Sequence, residues 1–475
     1  MTASSRPSRF LLPALVLLAV MLCVASPAPA QTDPDCPERR PLPNMRYDED
    51  WRFLAAERCR TEPWDRLKYV PLAKDRYVSF GGEARIRYER FDNPGFGRDP
   101  EDRGGYLLQR YLVHGDVHVT PRLRFFGQVE SSWVHGRVGG PRANDANRID
   151  LNQGFVEWTP HQRDDDVVTL RAGRQEVELG SAQFTSARNG LNDRLSFDGV
   201  RAFGEIRSWR FHAMATRVVP TVRGSFDDRS TPDETLSGFF IARRHDWLPD
   251  GNAVLYVSRR TDPQTRYQEG RDREERTTIG TRWWGRGTQW DFNYEVGMQT
   301  GSFGDSRIRA WYVSTDTGYS FAEHPSRPRA GLRFNIGSGD GHPGDGRLGT
   351  FSPLFAATAY SGLAGLIGPS NSVAIAPSVA WEVDERKTLI VGVIGFWRQS
   401  LEDGIYNVAT EVQRNSSGSR ERHVGTQPTL QWIWQVTPRL TWLTVLSYFR
   451  AGAFLHDARP GEDVTYLTSW WAYRF

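Results

Sequence analysis

From about residue 79 onward, polar and apolar positions alternate in segments of about ten residues. In 289–299, Trp290, Phe292, Tyr294, Val296 and Met298 fall on one face, and Asp291, Asn293, Glu295 and Gln299 on the other. In 329–336, Ala330, Leu332, Phe334 and Ile336 oppose Arg329, Arg333 and Asn335. In 429–436, Leu430, Trp432, Trp434 and Val436 oppose Thr429, Gln431 and Gln435. A period of two is a β-strand with one face in an apolar medium and the other in a polar one. No helical period is sustained beyond the first thirty residues. Sandwich strands average only about five or six residues and bury their apolar faces in one core. Here the apolar faces are aromatic-rich over longer strands, and the opposite faces carry charges in mid-strand. The pattern predicts an all-β fold, a transmembrane antiparallel barrel with a wet interior, in which every backbone group is paired.

Counting such segments gives about 18 strands, from 79–91 to 465–475. The connections after even strands are short, as in Thr120-Pro121-Arg122, Arg207-Ser208 and Thr437-Pro438-Arg439. Those after odd strands are mostly long and rich in Gly and Pro: 92–106, 134–148, 175–195, 219–234, 261–275, 338–371 and 398–425. Short periplasmic turns opposite long extracellular loops are the arrangement of an outer-membrane barrel with both termini in the periplasm. The chain ends Trp470-Trp471-Ala472-Tyr473-Arg474-Phe475, and a terminal Phe behind alternating aromatics suits a closing strand.

The start of the chain reads differently. Arg6 and Arg9, then an apolar run Phe10–Val24, then Ala28-Pro29-Ala30 come in the order of a secretory signal peptide. Val20-Met21-Leu22 lacks the small residue an acylated Cys23 would need, which argues against a lipoprotein. The expected division is 1–30 signal peptide, 31–78 periplasmic N-terminal extension and 79–475 outer-membrane barrel. Negative mean hydropathy excludes a polytopic helical membrane protein. Losing Arg6 and Arg9 takes the net charge from +3 to +1, so nothing points to nucleic acid. Of 60 basic residues only Lys68, Lys74 and Lys387 are lysine. Codon bias toward Arg explains this as readily as planar recognition of carboxylates does. Cys36 and Cys59 remain after processing, and in an oxidising compartment a bridge between them is expected.

Several runs match more than an architecture. They are Glu49-Asp50-Trp51-Arg52-Phe53-Leu54, Trp64-Asp65-Arg66-Leu67-Lys68-Tyr69-Val70-Pro71-Leu72, and Phe80-Gly81-Gly82-Glu83-Ala84-Arg85-Ile86-Arg87-Tyr88-Glu89. Arg171-Ala172-Gly173-Arg174-Gln175 is followed by Arg194-Leu195-Ser196-Phe197-Asp198-Gly199-Val200-Arg201. Later come Pro328-Arg329-Ala330-Gly331-Leu332, Ser338-Gly339-Asp340, Phe351-Ser352-Pro353-Leu354-Phe355 and Arg450-Ala451-Gly452-Ala453-Phe454-Leu455. Together, over about residues 47–475, the chain resembles the alginate export family of Gram-negative outer-membrane proteins. The resemblance implies an eighteen-stranded monomeric barrel, an arginine-lined constriction and passive export of an anionic polysaccharide, an alginate-like polyuronate. It does not carry over the identity of the polymer.

A polyuronate presents one carboxylate per sugar, and a pore for it needs cations that attract without trapping. Guanidinium stays charged and pairs bidentately with carboxylate. Strand phase turns Arg85, Arg87, Arg110, Arg171, Arg201 and Arg333 inward, although an Arg–Glu ladder that merely fills a wet lumen explains each one singly. Arg174 has the wrong phase unless Gly173 makes a bulge. The resemblance adds Arg174, Arg188 and Arg194 with Asp198 to the pore lining.

No cofactor is expected and no metal site is assigned. Asp340 and Asp345 open loop 338–371 and could ligate Ca²⁺, but a solvated loop explains them better. Its second half, Phe355 to Ile367, is small and apolar and either folds inward or covers a pore mouth. His114, His118, His212 and His245 fall in no nucleophile context, so no enzyme is expected. The rival reading is an uptake porin, general or anion-selective, for small sugars or organic acids, since a passive pore has no intrinsic direction. The partners implied are an anionic polysaccharide and outer-membrane lipid. The 31–78 extension leaves room for a plug or for docking to a periplasmic export scaffold.

Overall fold

A computed structural model of the chain describes residues 35–181, 185–245, 250–357 and 362–475. Residues 1–30, expected to be a signal peptide, lie outside the described residues. The barrel strands run β1 Arg76–Asp92, β2 Tyr106–Thr120, β3 Leu123–His135, β4 Asn147–Arg163, β5 Asp166–Gln175 and β6 Ser196–Ile206. They continue as β7 Trp209–Val219, β8 Thr235–His245, β9 Gly251–Tyr267, β10 Gly270–Arg286, β11 Trp290–Phe303 and β12 Ser306–Ser320. The last six are β13 Arg329–Gly337, β14 Ser372–Asp384, β15 Lys387–Arg398, β16 His423–Thr437, β17 Leu440–Ala451 and β18 Val464–Arg474. Each pairs antiparallel with its neighbours, and β18 pairs back onto β1 from Glu83↔Arg474 to Asp92↔Thr465, which closes the barrel. Closure leaves no unpaired sheet edge to lipid.

The alternation of the sequence becomes an inside and an outside. Val113, Phe125, Trp158, Val200, Leu255, Ile279 and Leu332 stand exposed on the outer face, and Met298 is 72% exposed. Such a band is unfavourable in water and right in hydrocarbon. The interior is the reverse of a soluble core: Glu83, Arg85, Arg110, Gln128, Glu130, Arg171, Arg276 and Gln299 are buried there. Met298→Arg puts a cation into lipid near mid-strand and is expected to cost about 2–4 kcal/mol. Equilibrium unfolding in urea from lipid vesicles measures it; an unchanged transition would place this face in contact with protein instead.

The loops are not all where the composition put them. β9 runs to Tyr267 and β10 begins at Gly270, so 261–275, expected as a long loop, is a tall hairpin with a tight turn. Thr and charged residues held the alternation there, but without apolar side chains the strand signal faded. The hairpin of β11 and β12 is equally tight, with Phe303 pairing Ser306. By contrast the described parts of 176–195 and 338–371 fold into the lumen and meet there. Thr185 pairs with Phe355 in an isolated bridge, and the Ser186 amide donates to the Phe355 carbonyl at 3.1 Å. Phe355 is buried with Val177, Phe197, Leu236 and Leu354, whereas Ile367 packs with Phe96, Phe396 and Phe449.

The N-terminal extension also enters the lumen. A disulfide joins Cys36 and Cys59, whose Cα atoms are 5.7 Å apart, and Arg39 pairs with buried Asp65 at 2.6 Å. Trp64 lies 4.6 Å from the Phe475 ring and donates to the Tyr473 hydroxyl at 2.7 Å. From this base Asn44–Glu49 reaches inside. Arg46 donates to the carbonyls of Gly82 and Phe475, both at 2.8 Å, across the seam where the barrel closes. Tyr47 packs edge-on against Phe126 and Phe155, inward residues of β3 and β4.

Candidate functional site

Cross-strand register sets arginine beside arginine: Arg85 pairs with Arg110 and Arg171 with Arg201. Adjacent like charges need counter-charges or acceptors, and the inward loop supplies them for the first pair. Arg85 donates to the carbonyls of Asn189, at 2.7 Å, and Leu191. Arg87 reaches the Gly190 carbonyl at 2.5 Å, with Tyr466 and Glu89 as further partners. Arg110 donates to Asn189 O and Leu191 O, both at 3.1 Å, to Asn189 Oδ1 at 2.7 Å, and to Glu83. Three wall cations thus hold one turn of backbone inside the lumen. Arg194 locks the same loop from within, bidentate to Glu176 at 2.6 Å on both oxygens, and also donates to the Asn44 carbonyl.

The second pair faces the N-terminal segment. Arg171 is held by Glu157 at 2.7 Å and lies 4.0 Å from the Tyr47 ring centroid, a cation–π contact. Arg201 donates to His212 Nε2 at 2.8 Å and to the Glu176 carbonyl at 3.3 Å. Arg188, on the inward loop, lies 5.7 Å from the Phe355 ring and has no ion pair among the described residues. Burial, with Arg260 nearby, brings its guanidinium down to about 10. Arg333 sits toward the turn end, half open to the lumen, with Asp316 at 3.4 Å.

Arg174 and Asp198 lie elsewhere. The register runs unbroken through Gly173, so there is no bulge, and both residues share the phase of Ala172 and Val200 on the outer face. They pair with each other at 2.8 Å at the loop end of the barrel, where Arg174 also takes the Leu151 and Asp228 carbonyls. An outward charge is tolerated there because the position lies at the rim rather than in mid-membrane. Asp340 and Asp345 are used locally: Asp340 accepts from the amides of His342 and Gly349, and Asp345 from that of Arg347.

The opposite arc of the lumen holds a cavity of about 250 Å³ that the sequence reading missed. Phe240, Tyr256, Trp284 and Tyr312 line it with Arg210 and Arg282, and Phe351 and Leu354 of the inward loops cover it. Arg282 donates to Asn293 Oδ1 at 2.7 Å and Arg210 to Asn252 Oδ1. Among the described residues neither has a carboxylate within ion-pair distance, unlike Arg110, Arg171 or Arg194. The signal was present: Arg276, Thr278, Gly280, Arg282 and Trp284 share one phase of a strand.

Acids gather at the loop end. Asp150 accepts from the amides of Asp227 and Asp228, Asn147 donates to Asp228 at 2.8 Å, and Thr221 donates to Asp193. Burial lifts the Asp193 carboxyl to about 6; the Thr221 hydroxyl opposes this and Asp228 reinforces it. A released loop would titrate near its ordinary value, about 4. Between those pH values the docked loop binds more protons, so docking strengthens as pH falls from 6 toward 4 and weakens as pH rises through 6. Hydrogen exchange over 220–231, corrected for intrinsic rates, is expected to be slower at about pH 5 than at about pH 7.5. Asp193→Asn should remove the difference, and a difference that survives it would contradict this assignment.

The fold has well-defined relatives. Pseudomonas aeruginosa OccD3 (OpdP) superposes with a TM-score of 0.56 at 12% identity, covering 86% of this chain and 93% of that one. Acinetobacter baumannii OccAB1 gives 0.56 at 12%, covering 86% and 99%. Pseudomonas aeruginosa OpdK, solved with vanillate, gives 0.55 at 10%, covering 85% and 100%. At these identities the likeness shows the fold alone, a closed antiparallel β-barrel. No curated protein matches the chain. The alginate export family model matches residues 76–468, from the first barrel strand into the last. With the closed eighteen-strand barrel, its lipid-facing exterior and its polar lumen, this places the protein in the outer membrane as a member of the alginate export family.

Proposed function

We propose that the barrel is a passive conduit for an anionic, uronate-type polysaccharide, working in export. The observation that carries this reading is the constriction: the inward loops after β5 and β13 meet at Thr185 and Phe355 inside a lumen whose wall carries arginines on strand after strand. Because Arg85, Arg87, Arg110 and Arg194 are committed to the inward loop, they set the positive shape of the constriction rather than meet the polymer. Arg188, Arg201 and Arg333, with Arg210 and Arg282, are the cations left to face a passing carboxylate. Asp316 partly neutralises Arg333, and the Asn293 amide oxygen takes one Arg282 donor, so each contact stays weak enough to release. The barrel would act as a monomer, passing the polymer from a periplasmic partner to the outside.

A second reading, uptake of small organic anions, is favoured by how much of the lumen the loops and the N-terminal segment occupy. Planar-bilayer recordings separate the two. The conduit reading expects anion selectivity and block by uronate oligomers, weakened in Arg201→Ala and Arg333→Ala. A wide conductance indifferent to uronates would leave a general porin.

A further inference from the structure

The cavity on the β7 to β12 side has a construction of its own. Along the hydrogen-bonding direction, Phe203, His212, Phe240, Tyr256, Gly280, Gly297 and Tyr312 are successive cross-strand neighbours on the inward face. The two adjacent glycines have a steric cause. A Cβ on Gly280 would stand 2.5 Å from Tyr256 Cζ, and one on Gly297 would stand 2.6 Å from Tyr312 Cε1. Tyr256 therefore runs along the wall from β9 over β10, and Tyr312 from β12 over β11, instead of projecting into the lumen. Their hydroxyls converge on Glu295, with Tyr256 donating at 2.6 Å and Tyr312 at 3.3 Å, and Ser181 of the inward loop donates to its other oxygen at 3.2 Å. His212, Phe240 and Tyr256 stack in series, with centroids 5.9 and 5.2 Å apart. The result is a recess walled by aromatic rings in an otherwise charged lumen.

Toward the periplasmic end of the recess stand the two cations without an acid. Arg282 is fixed through Nε by Asn293 and by lying 4.2 Å from the Trp284 ring centroid. Its terminal nitrogens have no protein acceptor among the described residues. A fixed planar cation with free donors, beside an aromatic wall, selects a ligand that is anionic at one edge and apolar on its ring faces. A pyranose uronate has that chemistry: C–H bonds on its faces, hydroxyls around its rim and one carboxylate.

We propose that this recess is a subsite for a single uronate unit, with its carboxylate on Arg282 and its ring against Tyr256 and Phe240. The proposal rests on the conduit reading and names the place in the lumen where the chain of sugars is read. Glu295, pinned by three donors, turns its remaining capacity toward the sugar hydroxyls and discourages prolonged hold on the carboxylate.

The test is block of single channels of the full-length protein by three probes: a uronate tetrasaccharide, the neutral tetrasaccharide of the same linkage, and citrate. The wild type is expected to be blocked most strongly by the uronate. Arg282→Gln should weaken uronate block about tenfold, the size of one charge-assisted contact, and leave neutral block unchanged. Tyr256→Ala should weaken block by both sugars, while Tyr256→Phe, which keeps the ring, should retain it. Arg163→Gln, on an exposed turn residue, is the control, and heat-modifiable mobility checks assembly of each variant. If uronate blocks the wild type and Arg282→Gln and Tyr256→Ala behave as the control does, the recess is not the subsite and the conduit reading stands. If citrate blocks as strongly as uronate and Tyr256→Ala changes nothing, the site reads carboxylates alone and the sugar assignment falls. A wild type indifferent to uronate overturns the conduit and the subsite together.

Discussion

Replacing Arg110 with alanine should release the 189–191 turn from the lumen wall and raise open-channel conductance severalfold. Arg110 is almost fully buried and makes three hydrogen bonds to Asn189 and Leu191 besides its pair with Glu83. Removing it leaves Glu83 with Arg474 alone, at 2.9 Å, and leaves two loop carbonyls to Arg85. Breaking one partner out of such a buried cluster costs about 3–5 kcal/mol. A barrel held by eighteen laddered strands withstands that loss; a loop held by side chains does not. The loss should therefore appear as a mobile constriction before it appears as unfolding. Recordings of Arg110→Ala and Arg85→Ala read the conductance and its noise, and heat-modifiable mobility confirms that each barrel has closed. Unchanged conductance in a closed Arg110→Ala barrel would mean that the loop is held without the wall arginines.

The second large effect is expected at Tyr47. Its ring fills the space between Phe126 and Phe155 beneath the Arg171 guanidinium, and its hydroxyl meets the Glu176 carbonyl at 3.4 Å. Truncation to alanine removes an aromatic side chain from a close-packed site, a loss of about 3–5 kcal/mol. The part affected is a short segment whose base stays fastened by the Cys36–Cys59 bridge, Arg39 and Trp64. Tyr47→Ala should thus loosen Asn44–Glu49, which Arg46 and the Arg194 bond to Asn44 still tether, and raise conductance, while barrel stability changes little. A protease added on the periplasmic side should then cut within 44–49 faster than in the wild type. Equal cutting and equal conductance would show that the segment is not what narrows the mouth.

The barrel was legible because a membrane enforces strict alternation: every strand must show lipid one face and water the other, and a slip of one residue is fatal. Arg85, Arg110, Arg171, Arg201 and Arg333 could be placed inward on that basis alone. What each arginine does could not. Whether Arg110 meets a ligand or Asn189 depends on where a twenty-residue loop folds, and 176–195 has no period to read. Arg174 shows the opposite case, in which phase was the better guide: the alternation put it outward, and a family motif drew it inward. Arg282 shows what phase offered and the reading passed over. Its strand was recognised, but the two glycines that hollow the wall beside it, Gly280 and Gly297, matter only once β9 to β12 are in register.

Flux across a bilayer separates a uronate conduit from a general porin. Vesicles carrying the full-length protein would be loaded with a fluorescent uronate oligomer and, separately, with a neutral oligosaccharide of equal length. The conduit account predicts faster release of the uronate, slowed by Arg201→Ala and Arg333→Ala and accelerated by Tyr47→Ala. Equal release of both cargoes, or retention of the uronate while small anions escape, would contradict it.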